Sequence, residues 1–194
     1  MDPTTIHETP TASPESAELL AAVESQVGFI PNVFAVLAES TPALAAFVGL
    51  NGAFGESTLS AIEREVVQLA ASAENGCSYC VAGHTVFARN QAIDAATIEA
   101  LRCENDLPDP RLDALARFVR AITQRSGHDC EAELAAVLDA EYTRGQVLEV
   151  IVGISVKTLS NLASNVFEIP VDDAFLECAW TPSSNHKEVQ NHVA

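Results

Sequence analysis

SAIEREVVQLAASAENGCSYCVAGHTVFARN, residues 60–90, decides the fold. In its first half apolar residues recur at helical spacing: Ile62, Val66, Leu69, Ala70 and Ala73. Ser60 and Glu63 make a capping box that opens a helix, and that helix ends near Gly76. A second helix follows at once, from Cys77 or Ser78 to about Asn90, so the chain folds back at Gly76 as a helical hairpin. Cys77, Cys80 and His84 then stand at i, i+3 and i+7, on one face of the second helix. Cys77 falls in its first turn, where free backbone N–H groups and the helix dipole favour a thiolate. His84 lies one turn beyond Cys80, within reach to accept a thiol proton directly or through a water. Glu65 falls at the edge of the first helix's apolar stripe, whereas Glu63, Arg64 and Glu74 lie away from it. A carboxylate drawn toward a core needs a partner, and the His84 imidazole is the natural one.

The flanking sequence extends the helical pattern. Upstream, Glu15 to Val27 opens with Pro14 and carries Leu19, Leu20, Val23 and Val27 on one stripe. GFIPNVF follows as a turn, then short helical pieces over Val33–Ala38 and Pro42–Phe54. Downstream, Asp94 caps a helix with Ile93 and Ile98 as its hydrophobic staple. Pro110 starts another that reaches about Ser126, and residues from about Cys130 to Ala140 are helical. Thr143 and Gln146 form a capping box ahead of a long apolar helix to about Phe167. The β-branched run within it (Val150, Ile151, Val152, Ile154, Val156) also admits a strand. No pair of strands with a hairpin turn is present, and the fold class is all-α.

Composition sets the outer limits. The chain has 194 residues, among them 31 Ala, the best helix former, against nine Gly and nine Pro. That length makes one domain: a disordered tail over 1–15, a helical body over 16–180 and a flexible tail over 181–194. A net charge of −17 repels phosphates, so neither nucleic acid nor an anionic membrane surface is expected as a partner. Lys157 and Lys187 are the only lysines. The N-terminus lacks a basic region followed by an apolar run, so no signal peptide is expected. The most apolar stretch, Val147 to Val156, is about half a membrane span and contains Glu149. These features predict a cytoplasmic protein, where thiols stay reduced and a Cys-x-x-Cys pair is redox-active or metal-binding rather than a staple.

The spacing Glu65-(x)11-Cys77-Ser-Tyr-Cys80-(x)3-His84 resembles that of the AhpD-like alkylhydroperoxidases of the carboxymuconolactone decarboxylase superfamily. Gly28-Phe-Ile-Pro31-Asn32-Val-Phe and Asn161-Leu-Ala-Ser-Asn165 before Ile169-Pro170 are similar to the ends of its peroxidase-related subgroup. The resemblance implies an all-helical fold with the Cys-x-x-Cys motif at the start of a core helix. It implies a homo-oligomer (trimer, hexamer or dimer) and a thiol peroxidase activity that needs no cofactor and no metal. Carried over, Cys80 is the peroxidatic cysteine that attacks a hydroperoxide, and Cys77 resolves the resulting sulfenic acid as a disulfide. A dithiol donor, lipoyl-type or thioredoxin-like, then reduces that disulfide. His84 is the base toward Cys80 and Glu65 completes the relay. Where the best-known members carry a second histidine between the cysteines, this chain has Tyr79, a secondary candidate and a far weaker base.

Other readings compete. Cys77 and Cys80 also suit a pair of small buried hydrophobes. With His84 and either Glu65 or the His128–Cys130 pair they suit a zinc site, although the second ligand pair is poor. A non-redox member of the superfamily, acting as a decarboxylase or on a lactone, and a redox sensor without turnover are the functional alternatives. Cys103 and Cys178 are taken as a packed and a partly exposed cysteine, His128 and Cys130 as residues without a role. Asn161 and Asn165 are placed for a helix–helix hydrogen bond.

Overall fold

Caps mark nearly every helix start in the computed structural model, which describes residues 4–182. Nine helices follow in order among these residues: α1 (Pro14–Val27), α2 (Asn32–Leu37), α3 (Thr41–Gly55), α4 (Ala61–Glu74) and α5 (Ser78–Asn90), then α6 (Ala95–Arg102), α7 (Pro110–Arg125), α8 (Glu131–Asp139) and α9 (Arg144–Val166). The described residues contain no strand. The capping boxes form as read: Ser60 Oγ accepts from the Glu63 N–H while Glu63 accepts from the Ser60 N–H, and Thr143 and Gln146 pair likewise. Asp94 accepts from the Thr97 N–H at 2.8 Å. The β-branched run in α9 is helical throughout, because a capped helix that packs along its whole length overrides a weak local β preference.

The centre of the bundle is α4. It packs against α5, α6, α7 and α9, and its residues are buried almost without break from Val66 to Ala73. An apolar stripe along one face was therefore too narrow a reading of this helix. Glu63, expected away from the stripe, is buried as well, and it is held there by the Ser60 N–H and by an ion pair with Arg111 of α7. α3 crosses α9 where Gly153 admits close contact: a β-carbon there would stand 2.6 Å from the Phe54 ring and 2.8 Å from Val67.

The link between α4 and α5 is a Schellman turn. Gly76 takes the left-handed conformation (φ 61°), its N–H bonds the Ala73 carbonyl, and the Cys77 N–H bonds that of Ser72. One helix thus stops and the next begins within three residues, Asn75 to Cys77, which makes Cys77 the N-cap of α5.

The N-terminal end of the body is more ordered than expected. Of the segment 1–15, residues from Thr4 lie against the bundle: the Thr4 hydroxyl donates to the Phe167 carbonyl, the His7 N–H donates to Ala35, and the His7 ring meets Glu39 at 2.5 Å. Of the segment 181–194, Thr181 and Pro182 carry no regular structure and the rest lies outside the described residues. Two of the three single cysteines are exchanged: Cys103, at the end of α6, is exposed and Cys178 is buried. Arg102 accounts for the burial of Cys178: its guanidinium binds the carbonyls of Cys178 and Ala179 and holds the 3-10 turn Asp173–Cys178, which packs on α5.

α9 has two faces. Val150, Gly153, Ile154, Lys157, Asn161 and Ser164 point into the bundle. Leu148, Leu162 and Val166, 65%, 60% and 70% exposed, form a stripe on the other side. Its length and composition are also those of a membrane-crossing helix, although its inner face packs in the core.

Candidate active site

The Schellman turn places both thiols. As N-cap, Cys77 accepts the Cys80 N–H on its sulfur at 3.4 Å, and the two residues lie one turn apart, within disulfide range. Cys77 is fully buried; Cys80 is buried too, but its side chain lines a cavity of about 250 Å³ that Cys77 does not reach. α9 supplies the surroundings of Cys80: Ser160 Oγ and Ser164 Oγ each lie 3.9 Å from its sulfur.

His84, one turn further along α5, meets Glu65 as expected, with Nδ1 3.0 Å from Oε2. The other Glu65 oxygen accepts from Gln91 at 3.0 Å, so the carboxylate is held at both ends. On the far side of the ring, Lys157 Nζ of α9 lies 2.9 Å from His84 Nε2. An ammonium can only donate, so Nε2 accepts and Nδ1 carries the proton donated to Glu65. A row Glu65–His84–Lys157 therefore runs across three helices. The direct contact between His84 and the Cys80 sulfur is not made among the described residues; Lys157 occupies the ring nitrogen that would have accepted the proton.

The two thiols are driven apart. Burial raises the Cys80 thiol, but the hydrogen bond from the Cys77 thiol and the charge of Lys157 outweigh it and hold Cys80 well below the ordinary value. Cys77 is pushed far up, by its hydrogen bond to Cys80 first and by burial second. The start of α5 was expected to favour Cys77; the thiol held low is that of Cys80 instead.

Tyr79 takes no part in this row. Its hydroxyl donates to Asp172 Oδ2 at 2.6 Å and accepts from the Val33 N–H at 3.2 Å, and burial and then Asp172 push its phenol far above the usual range. Asp172 also accepts from the Asn32 N–H, so these groups tie the GFIPNVF segment to the site. Four phenylalanines, Phe34, Phe47, Phe87 and Phe175, share the rest of the cavity wall with Val27, Pro31 and Val33 and with the amides Gln26 and Asn51.

This helical pair carries a family signature, since a profile of the carboxymuconolactone decarboxylase family matches residues 41–124, from α3 through α7. Over this segment, a little under half of its length, the chain is similar to the carboxymuconolactone decarboxylase family. No curated protein sequence matches it. Among solved structures, an uncharacterized peroxidase-related protein from Ralstonia eutropha JMP134 with an alkylhydroperoxidase AhpD core superposes with a TM-score of 0.78 at 24% identity, over 92% of this chain and 96% of that one. A peroxidase-related protein from Silicibacter sp. TM1040 gives a TM-score of 0.75 at 22% identity, over 90% and 95%. The C82A variant of the debrominase Bmp8, in complex with 2,3,4-tribromopyrrole, gives 0.76 at 15% identity, over 90% and 94%. At these identities the likeness is one of fold, the AhpD-like all-α fold.

Glu65, Cys77, Cys80 and His84 lie inside the family segment; Lys157, Ser160 and Ser164 lie beyond it, on α9. Sequence reasoning missed these three. Lys157 left one signal, as the only lysine within the apolar helix and in register with Val150, Ile154 and Asn161 on its inner face. Asn161 and Asn165 make the expected helix–helix bonds, to Asn75.

Proposed function

We propose that this chain is a thiol-dependent hydroperoxidase that cycles Cys77 and Cys80 between dithiol and disulfide. The observation that carries the reading is the opposite displacement of the two thiols, with only the low one facing the cavity. The Cys80 thiolate attacks the terminal oxygen of a hydroperoxide, the O–O bond breaks, and the alkoxide takes a proton from the Lys157–His84–Glu65 row. Cys80 is then a sulfenic acid. Cys77 loses its proton, attacks the Cys80 sulfur and releases water, leaving the Cys77–Cys80 disulfide. A dithiol, lipoyl-type or thioredoxin-like, reduces it by two exchanges and becomes a disulfide itself. Such a donor pool fits a cytoplasmic setting. The exposed stripe of α9 supports a homo-oligomer.

The test is consumption of an organic hydroperoxide with dihydrolipoamide as donor. Wild type turns over, Cys80→Ser does not, and Cys77→Ser is oxidised once to a sulfenic acid and stops. Full activity in Cys80→Ser sinks the reading. The aromatic wall favours one second reading, reductive dehalogenation of a small haloaromatic by the same pair, in which the thiols supply two electrons and halide leaves. Bromide release from 2,3,4-tribromopyrrole, without peroxide turnover, would select it.

A further inference from the structure

Lys157 is 3% exposed, and no carboxylate lies within salt-bridge distance of it among the described residues. Among the described residues its ammonium has one hydrogen-bond partner, His84, and the imidazole stands between it and Glu65. Buried charges are normally paired, so the cavity end of this ammonium is short of one negative charge. In the reduced protein the Cys80 thiolate is the anion at hand. Disulfide formation removes that charge and leaves Lys157 in place.

We propose that the cavity holds one monoanion at a time beside Lys157: the Cys80 thiolate in the reduced protein, and the carboxylate of a small aromatic acid once Cys77 and Cys80 are joined. The cavity supports the aromatic part. A dry cavity of about 150 Å³ accepts benzene, and this one, at about 250 Å³, has room for a ring with a short substituent. Phe34 and Phe47 meet at 4.8 Å with their rings tilted by 48°, and Phe87 meets both His84 and Phe175 edge-on at 5.6 Å, an arrangement that continues onto the face or edge of a further ring. Lys157 lines the same cavity, at the end where Cys80 and Ser160 stand. With the whole chain at −17, long-range attraction supplies nothing, and an anion that enters does so for this one local charge. The site therefore alternates: oxidation opens it to an aromatic carboxylate, and reduction expels that ligand.

The inference rests on the dithiol/disulfide reading, but its test uses no peroxide. Benzoate binding is measured by calorimetry on three forms: reduced wild type, wild type oxidised with diamide (which takes up the two electrons and two protons), and Cys80→Ser. The oxidised form and Cys80→Ser should bind benzoate at least about tenfold more tightly than the reduced form, the effect of one close like charge. Benzyl alcohol, the neutral analogue, should bind all three alike. Lys157→Met should lose benzoate and keep benzyl alcohol, which also shows that its cavity is intact. Equal benzoate affinity in the reduced form and Cys80→Ser overturns the proposal, as does unchanged benzoate binding in Lys157→Met. If peroxide turnover fails while redox-dependent benzoate binding holds, only the peroxidase reading falls.

Discussion

Lys157 determines which group next to Cys80 can hold a proton. With Nζ on His84 Nε2, the imidazole is fixed in one tautomer, and the thiolate faces an ammonium rather than a bare ring nitrogen. Replacing Lys157 with Met should slow alkylation of Cys80 by iodoacetamide near neutral pH and move the midpoint of the pH–rate curve up toward the free-thiol value of about 8.5. In wild type the folded thiol lies low, so the fast reaction should persist below that value and fade only as pH falls through the depressed midpoint. Lys157→Arg should recover part of the shift, which loss of packing alone would not allow. Tyr79 provides the contrast, because its hydroxyl serves Asp172 and Val33. Tyr79→Phe should cost about 1–3 kcal/mol in denaturant unfolding through the buried bond it removes, with the alkylation curve of Cys80 almost unmoved. Glu65 and His84 were legible because both sit near the motif at helical spacing. Lys157 is 73 residues from His84 in sequence, and only the packing of α9 against α4 and α5 brings it there.

Helices were read well wherever a local rule decided them. Ser60, Asp94 and Thr143 cap α4, α6 and α9 because the side chain and the N–H it accepts lie within a few residues. The faces were read less well. A wheel assigns one inward side, yet α4 is surrounded, and nothing within its own fourteen residues says how many neighbours will pack on it. Gly153 is such a tertiary requirement. In isolation Gly→Ala favours a helix by up to about 1 kcal/mol, but here the new methyl meets Phe54 and Val67 inside contact distance. Gly153→Ala should therefore destabilise by about 1–3 kcal/mol, read as a lower denaturation midpoint with an unchanged slope. A stabilised protein would show that α3 and α9 can separate freely.

At the scale of the molecule, charge and apolar surface oppose each other. A net charge of −17 keeps copies apart, while Leu148, Leu162 and Val166 form an exposed stripe that water penalises. Leu162→Glu should shift sedimentation to a smaller species, and added salt should favour the larger species of the wild type by screening the repulsion. The all-α class was legible from alanine content, caps and the absence of hairpins. The stripe was not, because sequence alone does not say which side of an apolar helix faces the bundle.

α9 rises about 1.5 Å per residue as one uninterrupted rod. On one side it holds Lys157, Ser160 and Ser164 against the thiol; on the other it carries the stripe. A neighbour seated on that stripe would press on the same rigid body that positions the ammonium. Protein concentration itself then becomes an effector: dilution that parts the copies should change the iodoacetamide reactivity of Cys80, and Leu162→Glu should abolish that dependence.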